Sequence, residues 1–130
     1  PMYFSYRGTI EGGHNVMGAV EPSTAFYFAE GTTRPGFDTY LCIGNPGSQG
    51  AEVKVTYLLG DGTTSEQQLA VAPGSRSTVS VKEALGEGED ASHDFSAVVR
   101  STNSQPIVAE RPMYFSYRGT IEGGHNVMGF

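Results

Sequence analysis

Residues 51–71 read AEVKVTYLLGDGTTSEQQLAV, and within the first nine of them Val53, Val55 and Tyr57 alternate with Glu52, Lys54 and Thr56. Successive side chains of an extended chain point to opposite faces, so the alternation puts one apolar and one polar face on the same strand. Gly60, Asp61 and Gly62 follow, and a second run, TTSEQQLAV, returns. The stretch predicts a half-buried β-hairpin. Asn45-Pro46-Gly47 precedes it and Pro73-Gly74 ends it; proline fixes φ and glycine admits positive φ, which is the chemistry of a turn. Outward from there, 39–43 is an apolar strand, SRSTVSV sets Val79 and Val81 on one face, and DFSAVVR does the same for Phe95, Ala97 and Val99. Only VKEALGEG has a helical signal, and Gly86 and Gly88 stop it early. With 18 Gly and 7 Pro punctuating the chain, strands recur at intervals of about ten residues. The expected class is all-β: an immunoglobulin-like or fibronectin-III-like sandwich of about seven or eight strands.

The order Asn-Pro-Gly, alternating strand, Asp-Gly turn, Pro-Gly-Ser turn and Ser/Thr/Val strand covers 38–111. It resembles the immunoglobulin-like sandwiches, of adhesion-module and fibronectin-III-like types, that are strung along large bacterial surface proteins. YFAEGTTRPGFDTYLCIGNPG, IVAERPMYFSYRG and GGHNVMG further resemble the repeat units of large secreted bacterial proteins carrying an immunoglobulin-like domain of uncharacterised function. The resemblance implies a location, extracellular or at the bacterial cell surface, and a tandem arrangement. It implies no chemistry.

Residues 1–18 and residues 112–129 are both PMYFSYRGTIEGGHNVMG, an identity at an offset of 111 that breaks at Ala19 against Phe130. Self-similarity at a fixed period is the mark of a repeat architecture, so the chain reads as a window on a tandem array. The expected division is a copy of the repeat-junction segment at 1–18, a sandwich unit at 19–118 and a glycine-rich junction to the next unit at 119–130. In MYFSYR, Met113, Phe115 and Tyr117 point one way and Tyr114, Ser116 and Arg118 the other. Pro112 belongs at an edge, a strand start or a bulge, so IVAER and MYFSYR are either two strands or one that breaks and changes sheet. Two pairings stay open. The segment closes its own unit, which short connections favour, or it is donated forward, so that 1–18 fills an edge of the unit that follows. In a third arrangement the tail lies between successive domains, with Met17 or Met128 packing a stiff joint. Met2, Tyr3, Phe4 and Tyr6, with their equivalents Met113, Tyr114, Phe115 and Tyr117, are the expected junction or strand-exchange residues.

Charge narrows the partners. Eight Lys plus Arg against 14 Asp plus Glu give a net charge of −6, which lacks the basic footprint nucleic acid requires. No stretch approaches the length of an apolar membrane span. Cys42 is the single cysteine and lies in the apolar run TYLCIG, where a buried structural thiol is expected. Glu87, Glu89, Asp90 and Asp94 crowd EGEDASHD; the favoured reading is a solvated loop, the other a divalent-cation site. Of the three histidines, His14 and His125 are one position in two copies, the third is His93, and no metal-ligand spacing links them. Glu11-Gly-Gly-His14 would offer copper or zinc a carboxylate and an imidazole on one turn, but a glycine-rich loop with one His is more often a flexible surface turn. Neither a Gly-x-Ser-x-Gly elbow nor a phosphate loop is present. Glu30 and Glu110, with Arg34 and Arg111 as counter-charges, read as structural ion pairs. Tyr3, Tyr6, Tyr27 and Tyr40 would stack on a sugar if they shared an exposed face, although packing is the commoner use of such rings.

The expectation is therefore a non-enzymatic, cofactor-free structural repeat of an extracellular stalk or fibre, partnered by neighbouring copies of itself. The alternatives are an adhesin or carbohydrate-binding module acting by avidity on a surface glycan or protein, and a filament subunit polymerising by β-strand donation.

Overall fold

The computed structural model describes residues 1–6, 8 and 10–130, and of Tyr6, Ile10, Tyr117 and Ile121 the backbone alone. In chain order the elements are β1 (Met2–Tyr6), β2 (Ile10–His14), β3 (Ala25–Thr32), β4 (Phe37–Asn45), β5 (Ala51–Leu59), β6 (Thr64–Val71), β7 (Ser75–Ser80), the short helix α1 (Val81–Leu85), β8 (Asp94–Ser101), β9 (Val108–Tyr117) and β10 (Ile121–Met128). Two four-stranded sheets, ordered β3-β8-β5-β6 and β10-β9-β4-β7, form the sandwich, and β1-β2 is a separate hairpin. The all-β sandwich expected from the turn spacing is the observed architecture.

Alternation builds the core. Val53, Val55 and Tyr57 of β5, Phe95, Ala97 and Val99 of β8, Leu41 and Ile43 of β4, and Val79 of β7 all turn inward and are buried. Each large side chain among them contributes about 1.5–3 kcal/mol on burial. β5 and β6 pair from Ala51↔Val71 to Leu58↔Thr64, as the 51–71 reading requires. Tyr57 is fully buried, donates its hydroxyl to Gln67 Oε1 at 2.6 Å and meets the Phe95 ring edge-on; burial pushes its phenol well up. α1 is one turn long because Ser80 caps it and Gly86 closes it. In β3 the register shifts between Phe28 and Gly31. A side chain at Gly31 would run into the Phe95 ring, so the bulge needs glycine there.

Three expectations are corrected. Residues 121–128 are not a glycine-rich link but β10, paired along its length with β9 from Ile121↔Tyr117 to Met128↔Glu110. Glycine is tolerated in this strand because aromatic rings lie over it: a Cβ at Gly123 would meet Phe115, and one at Gly124 would meet Tyr114. β9 also runs unbroken through Pro112, between β10 and β4. The ring, which has no N–H to give, is accommodated by a lapse in the ladder: β4 pairs with β9 at Thr39↔Met113 and again at Cys42↔Glu110, with no pair between. Cys42, lastly, is not in the core. Leu41 and Ile43 take the inner face, so the thiol faces outward, half-buried, near Thr78 and Arg76.

Past Met128 the chain crosses to the other sheet. Gly129 N–H donates to Ala109 O at 3.1 Å, and Phe130 and Tyr27 exchange backbone hydrogen bonds of 3.0 and 2.8 Å on the open edge of β3. The sandwich starts at Ser23, whose backbone pairs with Ile107.

Candidate functional site: a hairpin built twice

The duplicated segment folds twice into the same object. β1 and β2 pair from Met2↔His14 to Tyr6↔Ile10, and β9 and β10 pair the equivalent residues from Met113↔His125 to Tyr117↔Ile121. Local sequence thus specifies the hairpin and its register. Arg118 and Gly119 both take positive φ, 56° and 67°, at the second turn, the left-handed geometry a tight hairpin needs.

Surroundings separate the copies. In the C-terminal copy, Met113 lies against β4 at 6% exposure, and the Phe115 and Phe37 rings are 5.9 Å apart. This position on β4 is the seat. Beside it Arg111 is buried at 2% exposure and donates to Glu30 Oε1 at 2.6 Å, while its Nε has no partner. Burial lowers the pKa of Arg111 against the opposing pull of Glu30. Burial, and after it the charge of Arg111, also lower that of His125.

The N-terminal copy turns the equivalent face, Met2, Phe4 and His14, onto the outer face of the β10-β9-β4-β7 sheet. Phe4 meets Tyr114 edge-on with centroids 4.8 Å apart and an interplanar angle of 86°, and His14 lies 6.1 Å from the same ring. Close approach depends on glycine: the ideal Cβ of Gly124 falls 2.8 Å from Phe4 Cζ, and that of Gly12 falls 3.5 Å from Gly123 Cα. Two grooves of about 400 and 300 Å³ remain under the hairpin, bounded by Met2, His14, Cys42, Arg76 and Tyr114. Asn126 donates to Glu110 there, whereas His14 Nε2 and Asn126 Oδ1 are buried without partners. Tyr3, on the other face, is 84% exposed and Met2 remains 53% exposed.

Of the eight expected junction residues, Phe4 and Tyr114 meet in the stack, Met2 lines the groove beside it, Met113 and Phe115 occupy the seat, and Tyr3 faces solvent. The side chains of Tyr6 and Tyr117 lie outside the described residues. The side chains do not mark which copy takes the seat, since the two are the same; only the short connection to the preceding residues favours the C-terminal one.

The other candidates are tied down by their neighbours. Arg34 is spread over Asp94, at 2.9 and 2.7 Å, and the Glu89 carbonyl at 2.6 Å, and its guanidinium holds the Asp94 carboxyl below the usual range. Lys82 bridges Asp38 at 2.9 Å and Glu87 at 2.6 Å. Asp90 is engaged by Ser92 and His93. The carboxylates of Glu87, Asp90 and Asp94 therefore point at separate partners, and among the described residues no three His, Cys, Asp or Glu are grouped to hold a metal. An open cleft of about 690 Å³ between Arg34, Phe37, Leu58 and Asp94 has its charges paired in this way. Tyr27, half exposed, sits on β3 with its hydroxyl accepting from Arg100 at 3.1 Å, and Tyr40 sits under the hairpin beside Tyr114. Tyr3, Tyr27 and Tyr40 do not form one platform. Among the described residues no helix is long and apolar enough to cross a membrane.

The fold recurs among solved structures. Thermotoga maritima 1070 is similar with a TM-score of 0.72 at 16% identity, over 85% of this chain and 96% of that one. The Anabaena sensory rhodopsin transducer is similar with a TM-score of 0.58 at 25% identity, over 70% and 96%. No curated protein matches in sequence. Residues 7–105, more than half of the chain, match a family described as a family of unknown function, DUF5719. The chain belongs to the DUF5719 family.

Proposed function

We propose that this sandwich is one unit of a tandem array forming an extracellular or cell-surface stalk or fibre, in which each unit is closed by its own copy of the repeated hairpin. The observation that carries the reading is the 18-residue identity at an offset of 111, folded twice with one register. The offset also sets the joint. Phe130, the last residue paired to the sandwich, corresponds to Ala19, and the next unit begins at Ser23. Between units in such an array lie Val20, Glu21 and Pro22, a connector that spans at most about 10 Å and is stiffened by proline. Units so joined add length in fixed increments. One hairpin face cannot be both seated on its own β4 and stacked on a neighbour, so array units use the seat and the outer face is left for lateral contact.

The test is mechanical. A polyprotein of several 111-residue periods, stretched as a single molecule, should unfold in equal steps, each releasing close to about 400 Å of chain less the folded length. Unequal steps, or a single event releasing all units together, would overturn the reading.

A further inference from the structure

We propose that the seat on β4 exchanges its occupant between molecules: the hairpin of 1–14 of one chain enters the seat of a second copy and displaces the identical hairpin there. This goes beyond the stalk reading, in which every hairpin keeps the seat of its own unit. Four observations carry it. The two segments are identical over 18 residues, so the seat cannot distinguish them by side chain. Both already form the same hairpin in the same register, so the entering copy docks without refolding. The outer face leaves Met2 53% exposed where the seated Met113 is 6% exposed, so the seat is the tighter of two sites that accept the same hairpin. Lastly, the seated copy has a place to part from its partner. The β4-β9 ladder lapses between Cys42↔Glu110 and Thr39↔Met113, so the segment from Pro112 onward can leave while Val108, Ala109 and Glu110 stay paired.

Departure from Pro112 onward also breaks the pairs Val127↔Arg111 and Met128↔Glu110, and Val16 and Met17 of the entering chain, the identical positions, would remake them. The hairpin that leaves the seat has the sequence of the one that vacated the outer face, and it can lay Met113 and Phe115 on that platform as Met2 and Phe4 lie there now. Residues 15–24 contain no strand and connect the donor hairpin to β3, which gives it reach. Reciprocal exchange closes a dimer, and one-way exchange runs on into open chains.

Paired cysteines at the seat test this on the full chain. Thr39 is buried at 1% exposure and lies opposite Met113, so in a Cys42→Ser background the pair Thr39→Cys with Met2→Cys joins only if Met2 occupies the position of Met113. The pair Thr39→Cys with Met113→Cys marks the resident hairpin. Thr39→Cys with Tyr3→Cys is the parity control, because Tyr3 would point to the opposite face. The expected result on mild oxidation at raised concentration is disulfide-linked species of twofold and threefold mass from the Met2 pair and none from the Tyr3 pair. Free thiols only, a disulfide confined to the monomer, or equal cross-linking of both pairs would each overturn the proposal. If the cysteine variants do not fold, light scattering on the unmodified chain and on Met2→Asp replaces them. Met2→Asp leaves a half-exposed site tolerable in the monomer but places a charge in the seat, so it should abolish a concentration-dependent doubling of mass seen for the parent. A parent that stays monomeric, or a doubling unaffected by Met2→Asp, refutes exchange.

Discussion

Adding one methyl group at Gly124 probes the stack, because it makes three close contacts of which only one involves the N-terminal hairpin. The Cβ of Gly124→Ala falls 2.8 Å from Phe4 Cζ, 3.0 Å from the Met113 carbonyl oxygen and 3.0 Å from Tyr114 Cδ1. The last two lie within the seated hairpin and cost the same whether or not residues 1–18 are present. Only the first forces Phe4 aside, loosening its edge-on contact with Tyr114 at 4.8 Å. Such a ring pair is worth about 0.5–1.5 kcal/mol beyond its buried area. Gly124→Ala should therefore cost about 1 kcal/mol more in the full chain than in 19–130. The sandwich supplies both its own sheets and its own seated hairpin in 19–130, so the shorter chain is a valid reference. Urea unfolding of the four proteins gives the coupling, provided that the m-values of each matched pair agree. If the penalty is the same in both backgrounds within about 0.3 kcal/mol, Phe4 does not pack on Gly124 and the stacked arrangement is wrong.

Three further outcomes follow from the sandwich. Glu30→Gln leaves the buried Arg111 without its charge partner and should destabilise by about 1–3 kcal/mol, less than a fully buried pair because Glu30 reaches solvent, whereas Arg111→Met should be neutral or stabilising; thermal unfolding of both separates an ion pair kept for its own stability from a cation the fold must neutralise. Asp94 has its pKa lowered chiefly by its hydrogen bonds with Arg34, so the unfolded chain takes up its proton first as pH falls, and the contribution, present above the ordinary value of about 3.9, is lost as pH drops through the folded value. Asp94→Asn should flatten that acid limb in urea midpoints measured from neutral pH downward, and an unchanged slope would count against the pair. Tyr57→Phe removes the 2.6 Å bond to Gln67 while keeping the ring, and should lower unfolding free energy by about 1 kcal/mol; no loss would mean that Gln67 finds an equal partner.

Much of this was legible in sequence because β-structure writes its burial with a period of two. Val53, Val55 and Tyr57 declare an inner face without knowledge of what covers it, and Asp61 between Gly60 and Gly62 declares a turn without knowledge of the sheet. The repeat was legible for the same reason, since identity needs no structure to be seen. Positions whose state depends on a distant strand are not legible in this way. Cys42 sits in an apolar run, but parity relative to Leu41 and Ile43 sends it outward. Gly123 and Gly124 look like linker residues until Phe115 and Tyr114 are laid across them, and Pro112 looks like a strand end until the β4 ladder is found to lapse around it. Glu30 and Arg111 were legible as ion-pair partners, and they meet across 81 positions, but nothing near Arg111 in the sequence announces that it will be buried.

The sequence alone determined that this chain is an alternating β-protein with a duplicated segment, because strand periodicity, turn chemistry and identity are all written within short stretches of chain. The tertiary structure alone decided which copy lies on β4 and which lies on the outer face, because identical segments carry identical local information and only the contacts around them differ.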